Sequence, residues 1–467
     1  MDDIHARLLE LGLAIPGVLL PRDLAALSSW AVIACDQFTQ DRRYWERVQG
    51  AVGDHASTLH LIYPEVFLRA GAADTAGVIG AEERIAAIHR AMTLYLEGDV
   101  FAPPFSGCVY LERDTPHHRR RRGLVIAVDL DRYDWGDRAR TLIRATEGTL
   151  PERLPARMDI RRNAPLESPH ILLLVDDEQD ILLGDPPGLP AAAEPAYRGN
   201  LMLGSGSVAG WRLDREHQWA LIAGRLETLR RRSRGDFLYA VGDGNHSLAA
   251  AKGVWEEYKA AHAGERGLAG NPRRFALVEI ENLHDPAISF EPIHRIVFNT
   301  NMDALLGALA PLPGFRAFSP EQGPEQLRRL VEDPNAPHAR LGLVSGSRCL
   351  VLETGVSGLV TVALQPLLDR FAAGEGLSID YIHGGEELFR LAGTRAPGEN
   401  APGNDAIGNG AVGILLPPVR KEDLFETVAR SGPLPRKSFS MGESVEKRFY
   451  LECRALGVCR ASRVEPL

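Results

Sequence analysis

The stretch that most constrains this chain is Phe237–Lys252, FLYAVGDGNHSLAAAK. Its apolar start, Phe237 to Val241, is rich in aromatic and β-branched residues and reads as a buried strand. Gly242-Asp243-Gly244-Asn245-His246 follows as a turn whose two glycines accept positive φ. Ser247 is placed to cap a helix that runs to about Lys259. A strand, a glycine turn and a helix start leave backbone N–H groups beside a positive dipole end, a geometry suited to phosphate. The turn also carries a carboxylate, an amide and an imidazole, so chemistry can sit where the anion binds. Strand-turn-helix corners that merely connect elements are common. The density of polar groups behind a buried strand sets this one apart, since a plain turn needs only Gly and Asn.

The rest of the composition bounds the class. A length of 467 residues suits two or three domains, and 45% hydrophobic with 25% charged residues is an ordinary globular balance. Lys plus Arg at 53 against Asp plus Glu at 62 gives −9, which argues against nucleic acid as the main partner. Cys35, Cys108, Cys349, Cys453 and Cys459 form no CxxC pair and no zinc spacing, as expected of a reduced cytoplasmic protein. The start, MDDIHARLLELGLAIPGVLL, is acidic and broken by Pro16, unlike a signal peptide. No apolar run reaches the ~18 residues of a membrane helix.

Taken in order, residues 4–13 predict a short amphipathic helix, Trp30–Cys35 a strand, 42–48 a helix and 79–98 a long helix. Asp36 follows its strand either as a functional carboxylate or as a helix cap or Asx-turn residue. Strands at 107–112 and 123–130 flank His117-His-Arg-Arg-Arg-Arg122, which reads as a solvated hairpin tip. Arg144, Glu147, Arg153 and Arg157 cluster in Leu142–Arg157, where arginines suit bidentate phosphate contacts and Glu147 suits a base. The alternative there is a capped helix start with exposed ion pairs, which contribute little. Strands are predicted at 171–175 and 275–280 and a helix at 215–232, and Phe290–Arg295 is an extended segment bearing the His294-Arg295 pair. Alternating helices and strands from 302 to 364 suggest a second α/β region, 393–410 a loop, 411–416 a strand and 421–430 a helix. Pro433 and Pro435 stiffen the approach to Lys437 and Ser438. The expected division is 1–298, 299–410 and 411–467, the last segment packing back toward the site.

Six boxes, WAVIACDQFT, RATEGT followed by ERLPAR, VGDGNHSLA, EPIHRIVF, IDYIHGGEEL and PLPRKSFSMGESVEKRFYLECR, resemble the bacterial domain-of-unknown-function family DUF1015. They run over residues 30–454, nearly the whole chain. Where relatives usually carry Asp-Gly-His-His-Arg, this chain carries Asp243-Gly244-Asn245-His246-Ser247. That box is similar to one in free-serine kinases of the ParB/sulfiredoxin-like superfamily. The resemblance implies a ParB/sulfiredoxin-like core within a mixed α/β (α+β) chain. It implies Asp243 and His246 at a phosphoryl-transfer site, with ATP or ADP and Mg²⁺, the metal through Asp243. The kinases' glutamate has no motif to mark it; Glu147 is the first candidate and Asp36 the second.

The expected function is therefore phosphoryl transfer to serine or a similar hydroxy acid, or phosphoserine dephosphorylation in reverse. Gly242, Gly244, Asn245, Ser247, Arg144, Arg153, His294, Arg295, Lys437 and Ser438 are the expected nucleotide or phosphate ligands. A homodimer is compatible with this reading. The alternatives are a nucleotide-binding regulatory module without turnover and a metal-dependent hydrolase using Asp243, His246 and a distant His294 or His383.

Overall fold

The computed structural model describes residues 2–68, 80–393 and 410–457, so most of the expected 393–410 loop lies outside the described residues. Apolar runs pair into two large sheets, each within one of two compact units: 1–288 with 443–467, and 289–442. The chain is mixed α/β. The strand Phe290–Phe298 falls in the second unit, and the segment from Glu443 onward belongs to the first.

Among the described residues the first unit's sheet has ten strands. Their order is Tyr197–Asn200, Ser207–Leu213, Cys108–Asp114, Arg121–Asp129, Phe275–Asn282, Leu172–Val175, Tyr239–Asp243, Ile143–Ala145 and Tyr133–Asp134. Leu13–Ala14 pairs with Arg121–Asp129. Neighbours are antiparallel up to Phe275–Asn282, which runs parallel to Leu172–Val175; Tyr239–Asp243 is antiparallel to that strand and parallel to Ile143–Ala145. Both sheet faces are covered, so side chains alternate between two cores. Leu124, Ile126 and Val128 enter one with Leu173, Val241 and Trp255. Val125 and Leu277 enter the other with Trp30, Trp45, Phe449 and Leu451.

The second unit's sheet has seven strands among the described residues, in the order Arg316–Phe318, Arg348–Glu353, Arg340–Ser345, Ala411–Leu415, Phe290–Phe298 and Ser378–His383, with Phe439–Met441 on Phe290–Pro292. Leu341, Leu343 and Ile414 pack against Leu364 and Leu368 on one side, and Ile296, Val344 and Leu415 against Leu388 and Phe389 on the other.

Several local expectations change. Trp30 ends the short helix Leu27–Trp30, and the strand after it is only Val32–Ile33, paired with Phe449–Tyr450. The Trp30 indole donates to the Leu451 carbonyl at 2.9 Å, so this apolar run serves burial more than a ladder. The basic run is a tip only to Arg120; Arg121 and Arg122 belong to the strand and pair with Glu281, Asp180 and Asp285. The Leu142–Arg157 stretch first supplies the strand Ile143–Ala145, and its helix start comes at Leu154 without a side-chain cap. Residues 359–364 lead into the helix Thr361–Glu375.

Candidate active site

The strand of the central motif runs Tyr239–Asp243 and the helix Asn245–Ala261, leaving Gly244 alone between them at φ +80. Left-handed backbone favours glycine. A Cβ on Gly244 would also come within 3.2 Å of the Ile171 Cα, so the turn packs directly on Ile171. Ser247 therefore lies within the first helical turn and is not the cap.

Gly242 has a different role from the expected turn. Leu173 opposes Val241 while Leu172 opposes Asp243, so Gly242 is the extra residue of a β-bulge. Without it, Asp243 would share the face of Val241. The bulge instead aligns Asp243 with Leu172 and, one strand further, with Glu279. That is the face on which Phe449 and Leu451 pack.

There Asp243 meets a cation. Lys447 Nζ lies 3.3 Å from Asp243 Oδ2, with the two side chains 9% and 17% exposed. The other carboxylate oxygen accepts the Gly244 N–H at 2.9 Å. Arg448 extends the pairing: buried among Glu279 and Glu452, its Nη2 donates to Glu452 at 2.6 Å and its Nε to the Pro169 carbonyl at 3.1 Å. Arg113 donates to the carbonyls of Val445, Glu446 and Lys447, which fixes the backbone that carries the lysine. Gly123 makes room for this cluster, since a Cβ there would meet Glu279 Oε1 at 2.2 Å.

The 143–150 segment docks on the turn from the neighbouring strand. Thr146 N–H donates to Asn245 Oδ1 at 3.2 Å, and the Thr146 hydroxyl to the Val241 carbonyl at 2.5 Å. Leu150 N–H donates to His246 Nε2 at 3.3 Å, which places the His246 proton on Nδ1. Glu147 is half-buried between these contacts. Arg144 is buried, donating to the Thr141 and Gly235 carbonyls at 2.9 and 2.7 Å with its guanidinium 4.6 Å from the Phe237 ring centroid. Burial holds it below the usual arginine range. Arg153 precedes the helix Leu154–Arg162, and Arg157 of that helix pairs with Glu65.

Asp36 faces His170, with Oδ2 3.9 Å from Nε2. The Tyr450 hydroxyl lies 2.7 Å from His170 Nδ1 and accepts the Cys35 N–H at 3.4 Å. Burial pushes the Tyr450 phenol well above its ordinary value.

His294, Arg295, Lys437 and Ser438 lie in the second unit. His294 is buried and accepts the Leu416 N–H at 3.1 Å; burial, aided by the Arg295 charge, pushes it down to about 4. Arg295 donates to Gln365 at 2.8 Å and to the Ile293 carbonyl, over the Tyr381 ring. Lys437 is exposed at φ 54, its Nζ 5.0 Å from the Tyr381 ring centroid, and the Ser438 hydroxyl donates to the Pro435 carbonyl at 2.6 Å. Sequence reasoning missed Lys447, His170 and Tyr450. For Lys447 and Tyr450 the signal was the C-terminal box itself, where Lys447-Arg448 follows Glu443 and Glu446.

Among the described residues no group of three His, Cys, Asp or Glu could hold a metal, and no helix is long and apolar enough to cross a membrane. The family described as "Protein of unknown function (DUF1015)" matches residues 16–369, and the chain belongs to it. No curated protein matches the chain. Among solved structures, a free serine kinase in complex with AMP is similar at 14% identity and TM-score 0.35, covering 71% of this chain and 92% of its own. SbnI with a C-terminal truncation, from Staphylococcus aureus, is similar at 12% and 0.36, covering 72% and 89%. A conserved hypothetical protein from Pyrococcus furiosus is similar at 12% and 0.33, covering 68% and 90%.

Proposed function

We propose that this member of the DUF1015 family transfers a phosphoryl group between a nucleotide, ATP or ADP, and the hydroxyl of serine or a similar small hydroxy acid. The observation that carries the reading is the docking of the 143–150 segment on the Gly244 turn, which gathers Asp243, Asn245, His246 and Glu147 at one helix N-terminus. Aligned N–H groups and the helix dipole favour phosphate there. The ParB/sulfiredoxin-like core and the likeness of the Asp243–Ser247 box to free-serine kinases belong to the same proposal.

A carboxylate, Glu147 first and Asp36 second, takes the proton of the acceptor hydroxyl. The alkoxide oxygen forms a bond to the terminal phosphorus, and the bond to the nucleotide's bridging oxygen breaks. His246, with its proton on Nδ1, and the turn amides stabilise the developing charge. Magnesium arriving with a nucleotide is held mostly by phosphate oxygens and water and needs one or two protein carboxylates. Asp243 fits that part, and the metal would supply charge neutralisation.

The test is incubation with ATP or ADP, Mg²⁺ and serine, and separately with phosphoserine and ADP or AMP, with products read by mass. Phosphoserine with ADP or AMP is the expected forward product. Absence of product in both directions, together with no thermal shift by any nucleotide, would overturn the reading. Glu147→Gln and Asp36→Asn then assign the base: the variant that loses turnover while keeping nucleotide affinity identifies it.

A further inference from the structure

We infer that Lys447 is the cation that meets an incoming phosphate at the Asp243 turn, supplied by a segment lying beyond the family-matched residues 16–369. The inference rests on the phosphoryl-transfer reading for the donor's identity; the anion site rests on geometry alone. An ammonium has three donors. Asp243 Oδ2 lies 3.3 Å from that of Lys447 as an ion pair, and among the described residues no other side chain pairs with Nζ although the side chain is only 9% exposed. Arg113 pins the Lys447 carbonyl, so the ammonium is held from a fixed backbone and loses less freedom on binding a ligand.

Asp243 occupies the place a phosphate would take. Its Oδ2 forms an ion pair with the Lys447 ammonium at 3.3 Å and its Oδ1 accepts the Gly244 N–H at the start of a helix. A carboxylate so held is an internal stand-in for the anion, and it repels a second negative charge while it stays. Removing that charge and keeping the lysine should therefore open the site to anions, an effect opposite to simple damage.

The experiment measures affinity for inorganic phosphate, pyrophosphate and ADP in metal-free buffer by thermal shift and calorimetry on the full chain. Asp243→Asn should bind phosphate about tenfold or more tightly than the native chain, and Asp243→Asn/Lys447→Gln should lose that gain. Lys447→Gln alone should weaken ADP roughly ten- to a hundredfold, while Lys447→Arg stays within a few-fold. Equal phosphate affinity in Asp243→Asn and the double variant would overturn the inference, as would native ADP affinity in Lys447→Gln. The double variant carries no unpaired charge, so its comparison with Asp243→Asn stands even where Lys447→Gln fails to fold. A chain that ignores nucleotides yet gains Lys447-dependent phosphate binding defeats the phosphoryl-transfer reading and leaves the anion site standing. ADP binding untouched by Lys447→Gln does the reverse. No phosphate binding in any variant defeats the inference outright.

Discussion

The two units bury different chemistry. Among the described residues the second unit's core is largely aliphatic, and its fully buried cation, Arg295, is absorbed by Gln365, a carbonyl and the Tyr381 ring. The first unit buries Glu279, Glu281, Arg113, Arg121, Lys447, Arg448 and Glu452 beside its apolar cores. Taking an ion out of water costs several kcal/mol even after relaxation, and apolar replacements of buried pairs are often as stable. A sheet that only needed stability would not carry this cluster. Its members fix the backbone of 445–447 and bring Lys447 to Asp243, so the contrast locates the part of the molecule where placement outweighs stability.

The largest expected effect breaks the contrast at its centre. Asp243→Asn should lower phosphoryl-transfer turnover by roughly 10²–10⁴-fold with the circular dichroism spectrum unchanged. Near-native rates would make Asp243 a turn residue and move the chemistry elsewhere.

Arg448→Met comes next. It leaves Glu279 and Glu452 buried without their cation and should cost about 3–5 kcal/mol in urea denaturation. A loss below about 1 kcal/mol would mean that the charged cluster positions nothing.

Acid and base should separate the units. His294 has its folded pKa pushed down to about 4 by burial, against roughly 6.5 when unfolded. Its stabilisation is complete above the unfolded value and fades as pH falls from about 6.5 to 4, a loss of about 3 kcal/mol. Glu281 has the opposite sign. Burial pushes it up to about 8, outweighing Arg121 at 2.9 Å, so its contribution is present below about 4.5 and is lost as pH rises toward 8. Hydrogen exchange read by segment should show the second unit loosening in acid and the first loosening in base. His294→Asn and Glu281→Gln should each flatten its own slope; a single profile shared by both units would count against the contrast.

The smallest effect sharpens the docking geometry. Thr146→Val removes the hydroxyl that bonds the Val241 carbonyl and should cost about 1 kcal/mol, with a larger loss in turnover than in stability. Equal losses would make Thr146 a packing residue.

Much of the backbone is legible in the sequence because periodicity is local. Helices such as Glu216–Arg232 and Ala81–Glu97 and the strand Phe275–Asn282 follow their apolar spacing closely. The failures are non-local. Gly242 looks like a turn glycine until the register of Leu172 and Leu173 makes it a bulge. Arg121 and Arg122 look solvated until Glu281, Asp180 and Asp285 arrive from remote segments. Arg144 has the composition of a phosphate ligand, yet the carbonyls of Thr141 and Gly235 already hold it. Lys447 stood in a box that sequence reasoning had marked, but only tertiary pairing distinguishes it from Lys437.

The order of synthesis gives the Asp243–Lys447 pairing a further meaning. Asp243, Glu279 and Glu281 leave the ribosome before the whole of 289–442, and Lys447 and Arg448 only after it. At typical elongation rates of about 5–20 residues per second, that interval is roughly ten to thirty seconds. Through it the nascent first unit holds Asp243 and Glu279 before Lys447 and Arg448 exist, while Glu281 already has Arg121. Its sheet can assemble, but this face stays wet until the returning segment closes it, so the candidate site is completed late in the life of the newborn chain.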